Sequence, residues 1–326
     1  MSMTKRERII ATLNHVETDI VPYGIGLTAD AKQSVALHLG DDGFEANIAN
    51  FFGGTGYNIV WEGVEEGKYP LSGPDFNSYP FPVIPEAEVR ALCEKYFSEK
   101  HDEVFTTAGG AGPLFDRAWS LTGLENLLVY MIEEPEITHA LLEKITEANL
   151  CLINIFLDYD FDGLYFGDDW GQQIGMIMGP GHWREFIKPY LAKMYGAVKK
   201  RGKYIVQHSC GDILPIFPDL IELGLDCYQT FQPEIYNLRE VKEQYGDKLT
   251  FWGGIGLQHT LAFETPARVA EIARETMEIM GKDGGFIASP THMVTGDIPA
   301  QNIVALLNVF QNQNKNIEIT GDRLIV

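Results

Sequence analysis

The chain has few cysteines and few basic residues for its length. Four cysteines stand in 326 residues, and their dissimilar contexts give no disulfide framework, so a reducing interior is expected. Cys93 and Cys151 fall in helical patterns and are predicted as small core residues. Lysine and arginine number 25 against 46 aspartates and glutamates, a formal net charge of −21. Such an acidic chain repels nucleic acid and anionic lipid, so neither is an expected partner.

Long apolar runs are absent as well. No stretch reaches the roughly 18 consecutive apolar residues that a membrane span needs. The opening residues, Met1 to Arg8, lead into a short amphipathic helix and lack the apolar core of a signal peptide, so a cytoplasmic location is expected. Because no repeat, low-complexity segment or linker interrupts the chain, a single domain over residues 1–326 is the simplest organisation.

Eight short segments rich in Val, Ile, Tyr and Phe recur along the chain without polar alternation, a pattern typical of strands buried on both faces. Helical patterns separate them, as at Glu125–Asn149, Trp183–Lys200 and Pro266–Gly281. This alternation predicts an α/β fold, and at this length a closed (β/α)8 TIM barrel, with an open doubly wound sheet as the alternative. The predicted strands are Ile20–Gly26, Tyr57–Trp61, Glu103–Ala108, Gly163–Gly167, Tyr204–His208, Leu225–Thr230, Thr250–Gly254 and Gly285–Ser289.

The most informative motif follows the fifth of these strands. His208 and Cys210 stand two residues apart where the apolar run ends, and Gly211 allows a sharp turn directly after them. Side chains at i and i+2 share one strand face, so an imidazole and a thiolate can point into one cleft. This pair suits half of a zinc site, although an isolated pair of this kind is more often a hydrogen-bonded loop histidine beside a buried cysteine.

In a barrel, the loops after the strands converge on one opening. His292 follows the eighth predicted strand and would join His208 and Cys210 there, giving a His2Cys set with one exchangeable position. His292 could instead act as a general acid or as a hydrogen-bond donor to a substrate. Asp168 and Asp169, after the fourth strand, are candidates for orienting an imidazole or contacting a substrate, with loop capping as the alternative.

Aromatic side chains also gather near the predicted strand ends. Each could belong to the core, but together they indicate an apolar or aromatic pocket rather than a highly charged one. Gly109–Gly112 lacks the Lys and Ser/Thr of a phosphate loop and predicts a close backbone approach instead. Cys227 is predicted to lie on a buried strand face, and Glu62 is a weak site candidate. The aromatic residues at strand ends include Tyr23, Trp61, Trp170 and Trp252.

In their order along the chain, these motifs resemble the uroporphyrinogen decarboxylase superfamily, which has a (β/α)8 barrel. The resemblance runs almost from end to end, and no single piece carries it alone. The segments that carry it are Thr4–Arg8, Asp168–Gly171, Pro180–Tyr190, His208–Asp212, Trp252–Gly256 and Pro299–Ile303.

The superfamily divides into porphyrinogen decarboxylases and zinc-dependent, corrinoid-linked methyltransferases. The decarboxylases resemble one another in arginines after the first strand, which bind a polycarboxylate, and Val21–Asp30 contains no arginine. The methyltransferases carry His-x-Cys after strand 5, matched here by His208 and Cys210, and a cysteine after strand 8, where this chain has His292. A glutamate that some of them place after strand 6 appears as Gln232 or a neighbour.

The resemblance therefore implies a methyltransferase that moves a methyl group between a small methylated substrate and a corrinoid on a separate protein. Its zinc ligands would be His208, Cys210 and His292, and its catalytic groups Asp168 and His292. The aromatic opening favours O-demethylation of a methoxylated compound. A porphyrinogen decarboxylase and a metal-free small-molecule-binding barrel are the alternatives, and a homodimer is left open. The side chains expected around the substrate are Tyr23, Trp61, Trp170 and Gln232.

Overall fold

The computed structural model describes residues 3–71, 73, 75–76, 78–315, 317 and 319–325. Short parallel strands alternate with helices along this chain, which confirms the predicted α/β class; the two-residue strands Gly171–Gln172 and Gly175–Met176 differ, because they pair antiparallel with each other. The strands are β1 Phe52–Gly56, β2 Phe105–Gly109, β3 Gly163–Gly167, β4 Gly171–Gln172, β5 Gly175–Met176, β6 Tyr204–His208, β7 Cys227–Phe231, β8 Thr250–Ile255 and β9 Phe286–Pro290. The α-helices are α1 Lys5–Leu13, α2 Ala29–Leu39, α3 Glu86–Phe97, α4 Phe115–Thr122, α5 Leu124–Glu133, α6 Pro135–Phe156, α7 Gly179–His182, α8 Lys188–Lys200, α9 Phe217–Glu222, α10 Leu238–Tyr245, α11 Pro266–Gly281 and α12 Ala300–Gln311.

The chain divides into two compact units. The first unit consists of Met1–Gly53, Asp102–Phe105 and Cys227–Val326, and the second of Gly54–His101 and Thr106–Asp226. The single domain expected for residues 1–326 stays a prediction. Within the described residues, no helix is both long enough and apolar enough to cross a membrane.

In the second unit, β2, β3 and β6 form a parallel ladder. Gly163 pairs with Thr107 on one side and with Tyr204 on the other, and Gly167 pairs with His208. Helix α6 leads into β3, and its buried face includes residues at helical spacing such as Leu141, Ile145 and Leu152. Because β3 and β6 run parallel and end in register, the residues that follow the two strands lie side by side.

In the first unit, β7, β8 and β9 form a second parallel ladder. Trp252 of β8 pairs with Gln229 of β7 and with Ile287 of β9. All five residues of β9 are buried, as expected for a strand that is covered on both faces. Helix α11 has the predicted bounds, and the Thr265 hydroxyl caps its first turn by accepting the Arg268 N–H.

The predicted first strand, Ile20–Gly26, is wrong as a strand. Tyr23 forms an isolated parallel bridge to Ala288, and no ladder extends from it within the described residues. The reason is local: Pro22 has no N–H to donate, and both backbone groups of Val21 bond to the side-chain amide of Gln313, at 2.7 and 2.8 Å. Closure into an eight-stranded barrel therefore stays a prediction.

The predicted second strand, Tyr57–Trp61, is also wrong, because the strand lies upstream at Phe52–Gly56. Three of the five residues of β1 are glycine, a composition that disfavours strands in general. Here glycine is required by the neighbouring β2, since a Cβ atom at Gly56 would lie 2.6 Å from the carbonyl oxygen of Gly109. The apolar segment that follows forms a loop instead.

Two further expectations need correction. The predicted helix Glu125–Asn149 is two helices, α5 and α6, because Pro135 begins a new helix at its first position. The predicted helix Trp183–Lys200 begins with a π-helical turn at Trp183–Ile187 before α8. Cys93 and Cys227 are buried as expected, whereas Cys151 is exposed on α6 and is not a core residue.

Asp219 joins α9 to the segment before α8 in the second unit. Its two carboxylate oxygens accept hydrogen bonds from Arg184 Nε at 3.0 Å and from Lys188 Nζ at 2.7 Å. Burial opposes ionisation of Asp219, but these hydrogen bonds outweigh burial and lower its pKa below the usual range. The folded state therefore favours the carboxylate more than the unfolded state does.

We expect Asp219→Asn to cost about 1–2 kcal/mol of unfolding free energy near neutral pH, the range for charge-assisted hydrogen bonds. Because the pKa of Asp219 is lowered in the folded state, the full contribution is present above the unfolded pKa of roughly 3.9. It is lost as the pH falls through the lower pKa of the folded state. Urea unfolding at a series of pH values measures it. Asp160→Asn is the control, since Asp160 is an exposed partner of Lys203. An equal loss in both variants would contradict the assignment.

Candidate functional site

The ends of β3 and β6 bring two loops together in the second unit. The Asp168 N–H donates to the His208 carbonyl at 3.1 Å, and the Trp170 N–H donates to Ser209 Oγ at 3.0 Å. The His208 carbonyl also accepts a 2.7 Å hydrogen bond from the Gln207 side chain. Backbone groups of one loop thus bond the other loop, which fixes the position from which His208 and Cys210 extend.

His208 and Cys210 point toward each other, as their spacing predicts. Cys210 Sγ lies 3.4 Å from His208 Nε2, and both side chains are partly exposed. The Asp169 carboxylate oxygen Oδ1 lies 3.3 Å from the same imidazole nitrogen. Three groups with metal-binding chemistry, an imidazole, a thiol and a carboxylate, therefore meet at the end of β6.

Asp169 connects the side chain of His208 to the backbone of Cys210. Its Oδ1 accepts the Cys210 N–H at 2.7 Å in addition to its contact with the imidazole. Burial of Asp169 favours the neutral carboxyl, but the hydrogen bonds from His208 and from the Cys210 backbone outweigh it and lower the pKa of Asp169 to about 2. Asp169 is therefore a carboxylate at neutral pH, and it contacts the same imidazole nitrogen that approaches the Cys210 sulfur.

The Asp168 carboxylate binds backbone and indole N–H groups. It is buried and accepts the N–H groups of Phe115 at 3.0 Å and Asp116 at 2.8 Å and the Trp170 indole N–H at 2.7 Å. Burial raises the pKa of Asp168, and the Asp116 carboxylate adds to this rise. Asp168 thus caps the start of α4, which was the alternative considered for it, and its catalytic role stays a prediction.

Asp116 extends the same network from α4. Its carboxylate accepts the Asp169 N–H at 3.1 Å and the Trp119 indole N–H at 3.0 Å. Burial raises its pKa. Asp116 did not emerge from the sequence, although it stands close to the glycine-rich segment after β2.

Two glycines let the loops touch through their backbones. Gly211 has a φ of +76°, and a Cβ atom there would clash with backbone atoms of Gly171 and Gln172. A Cβ atom at Gly171 would lie 2.7 Å from the Cys210 carbonyl oxygen. Because a side chain fits at neither position, both glycines are needed to keep Cys210 beside Asp169.

His292 and the residues after β7 belong to the first unit. His292 follows β9 and is exposed, and its neighbour Thr291 is anchored by its N–H to Ile255 at 3.0 Å and by its carbonyl to the Thr230 hydroxyl. Glu234, three residues beyond β7, has a carboxylate oxygen that is buried without a hydrogen-bond partner among the described residues. His292 as a third ligand stays a prediction. The resemblance places a glutamate after strand 6 at Gln232 or a neighbour, and Glu234 is the acidic residue close to Gln232.

The side chains predicted around a substrate are largely enclosed. Tyr23 packs between Phe51 and Phe310 in the first unit, and burial raises its pKa to about 12. Trp170 is fully buried in the second unit, edge-on to Trp183 at 5.4 Å between ring centroids. Their role in binding stays a prediction. Trp61 and Gln232 are also buried, in the second and the first unit respectively.

Arg117 is a residue of this region that the sequence did not reveal. It lies in the first turn of α4, and its guanidinium carbon is 5.1 Å from the centre of the Trp61 ring. The sequence signal was available, because a charged Asp-Arg pair stands four and five residues after the glycine-rich segment Gly109–Gly112.

The donor set at the end of β6 fits a zinc ion. Zinc bonds of about 2.3 Å to sulfur and about 2.0 Å to nitrogen, at a tetrahedral angle, place the two donor atoms roughly 3.5 Å apart. The distance of 3.4 Å between Cys210 Sγ and His208 Nε2 agrees with this value. The ionised Asp169 beside this pair also supplies a negative charge that a divalent cation would neutralise.

Fold and site together define an α/β protein with parallel strands and a candidate metal-binding pair at the carboxyl end of a strand. The family model of uroporphyrinogen decarboxylase (URO-D) matches residues 69–313, and the chain belongs to this family. The resemblance noted in the sequence is thereby confirmed.

Similar proteins include uroporphyrinogen decarboxylases and a methyltransferase. The decarboxylase of Coxiella burnetii is 22% identical over 190 residues, covering 56% of this chain and 49% of that protein. The decarboxylase of Magnetococcus marinus is 24% identical over 206 residues, covering 60% and 53%. The chain thus spans about half the length of the curated relatives it matches. A solved methyltransferase from Methanosarcina mazei has a TM-score of 0.73 at 17% identity, covering 96% of this chain and 100% of that chain, and so shares its fold.

Proposed function

We propose that this chain is a zinc-dependent methyltransferase that passes a methyl group from a small methylated compound to a corrinoid on a separate protein. The observation that carries the proposal is the 3.4 Å approach of Cys210 Sγ to His208 Nε2, a separation suited to two zinc ligands. The fold shared with the methyltransferase from Methanosarcina mazei supports the reaction class. A methoxylated compound is the favoured methyl donor.

His208 and Cys210 would hold the zinc ion, with His292 as the proposed third ligand. When bound, zinc would supply Lewis acidity that stabilises negative charge on the oxygen from which the methyl group departs. The methyl group leaves without its bonding electron pair, and the remaining oxygen anion later takes a proton. One thiolate and neutral imidazoles make a less negative donor set than two thiolates, which favours a Lewis acid over an activator of thiolates.

The other residues of the loops hold the ligands in position. Asp169 would keep the Cys210 backbone in place by accepting its N–H. Its contact with His208 Nε2 would give way on loading, because that nitrogen would then bind the metal. Asp168 ties the start of α4 to the Trp170 indole, so this helix and the loop after β3 move together. The enclosed Trp170 and Trp183 exclude water beneath the loop.

A porphyrinogen decarboxylase remains the second candidate because of the family to which the chain belongs. The segment Val21–Asp30, which spans most of the predicted first strand and the residues after it, offers no arginine for a polycarboxylate. A pocket without those cations would lose its main attraction for such a substrate. We therefore rank this activity below methyl transfer.

Metal removal and donor screening test the proposal. We expect the purified protein to carry about one zinc per chain and to methylate reduced cobalamin from a methoxylated donor. Chelation should abolish methylation, and zinc, but not magnesium, should restore it. Metal analysis and the visible absorbance of methylcobalamin give the two readouts, with methylamine and methylthiol donors in parallel. Undiminished activity after complete chelation, or decarboxylation of uroporphyrinogen in place of methyl transfer, would overturn it.

A further inference from the structure

Arg117 carries a half-buried guanidinium. Among the residues that the structure describes, it forms no ion pair, and Nη1 makes a long 3.4 Å hydrogen bond to Ser120 Oγ. Its Nε atom is buried and has no hydrogen-bond acceptor among the described residues. Arg90 of the same unit differs, because it pairs with Glu86 and with Asp158.

Burial of an unpaired cation is unfavourable, because water that solvated the guanidinium is replaced by groups that cannot accept its hydrogen bonds. Trp61 offsets part of this cost through its ring face, 5.1 Å from the guanidinium carbon. Burial lowers the pKa of Arg117, yet an arginine keeps its charge at neutral pH. A positive charge with unused N–H donors remains in the folded chain.

The position of Arg117 ties it to the loops that carry the candidate metal ligands. Its neighbour Asp116 accepts the Asp169 N–H at 3.1 Å, and Asp169 in turn contacts His208. The carboxylates of Asp116 and Asp168 attract the Arg117 guanidinium electrostatically but form no ion pair with it among the described residues. Both already accept other hydrogen bonds. Asp168 accepts three N–H groups, and Asp116 accepts the Trp119 indole and the Asp169 N–H.

We propose that Arg117 binds a carboxylate on the methylated substrate, so that the methyl donor is a methoxylated carboxylate. This inference rests on the proposed function, which makes the substrate a methylated compound. The unpaired guanidinium is the reason for giving that substrate a negative charge. A guanidinium presents parallel N–H groups that match the two oxygens of one carboxylate. One such group suits a compound with one carboxylate rather than a polycarboxylate. Arg117 would thereby hold the far end of the donor while its methoxy group faces His208 and Cys210.

Binding measurements on the intact protein test the assignment without turnover. The probes are the 2-, 3- and 4-methoxybenzoates, methoxyacetate and the uncharged methoxybenzamides of the same shape. We expect calorimetry on the wild type to show at least one acid binding about ten- to a hundredfold more tightly than its amide, the range for charge-assisted hydrogen bonds. Arg117→Gln should abolish this preference, and Arg117→Lys should reduce it, because lysine keeps the charge without the fork.

Arg201→Gln is the matched control, since Arg201 is an exposed arginine of the same unit and its loss changes the net charge equally. This variant should keep the preference for the acid. Equal binding of every acid and its amide to the wild type, no binding of any acid, or a preference that survives Arg117→Gln would each overturn the inference.

Chemical protection keeps the inference testable if the Arg117 variants do not fold. Phenylglyoxal modifies accessible guanidinium groups, and peptide mass analysis of the wild type locates the sites. The preferred methoxybenzoate should protect Arg117 at least about fivefold, as expected when the ligand occupies most of the sites, and the amide should not. Absence of protection would refute the assignment. Because binding needs neither zinc nor corrinoid, failure of methyl transfer with intact carboxylate binding would count against the proposed function alone.

Discussion

His208→Ala and Cys210→Ser should each remove bound zinc and methyl transfer together. The imidazole and the thiol lie 3.4 Å apart, so loss of either leaves one donor on this strand end. Loss of groups that merely orient a ligand costs about 10–100-fold in metal affinity or activity, and we expect loss of a ligand itself to exceed about a hundredfold. Metal content by mass spectrometry and methylation rate are measured on the same preparation.

Cys151→Ser provides the control for loss of a thiol. Cys151 is exposed on α6 of the same unit, so its replacement should leave zinc content and methylation rate unchanged. A Cys210→Ser variant with full zinc and full activity would refute the assignment of Cys210, and the same result for His208→Ala would refute that of His208. Unfolding curves for all variants separate metal loss from misfolding.

Gly211→Ala should destabilise the chain more than Gly202→Ala, a methyl addition at another left-handed glycine of this unit. Gly211 has a φ of +76°, and its Cβ atom would clash with the backbone of Gly171 and Gln172. Gly202 has a similar φ of +66°, but a Cβ atom there meets nothing within 4 Å. The two substitutions therefore share the backbone strain and differ in the clash.

We expect Gly202→Ala to cost about 1 kcal/mol of unfolding free energy, the usual cost of a left-handed position, and Gly211→Ala about 3 kcal/mol or more. Zinc affinity should fall in Gly211→Ala alone, because the loop that carries Cys210 must move away from Asp169. Urea unfolding and competition with a zinc chelator give the two values. Equal losses of unfolding free energy in the two variants would contradict the predicted clash between the two loops.

The predicted elements that the structure confirms are those in which one local signal dominates. Gly163–Gly167 and Tyr204–His208 have the predicted bounds because compact apolar runs end at polar or glycine residues. The break at Pro135 was readable as well, since proline favours the first position of a helix. Its signal was outweighed by the apolar periodicity that continues on both sides.

The failures come from contacts that are distant in sequence. β1 is glycine-rich because β2 approaches it closely, and nothing in its own composition says so. The predicted first strand pairs poorly because Gln313, 292 residues away from Val21, takes both backbone groups. For the site, i, i+2 spacing predicted the meeting of His208 and Cys210. The capping role of Asp168 and the isolation of Arg117 depend on three-dimensional neighbours.

The shared hydrogen bonds of Asp169 have a consequence for how a metal ion would arrive. Because a single carboxylate oxygen contacts the imidazole and the backbone of Cys210, the donors are gathered before any cation is present. Little conformational entropy would then be lost on loading, and stripping the ion would leave the surrounding secondary structure standing. The chain would in that respect behave as a preorganised receptor, unlike small zinc domains, which collapse into disorder when their ion is withdrawn.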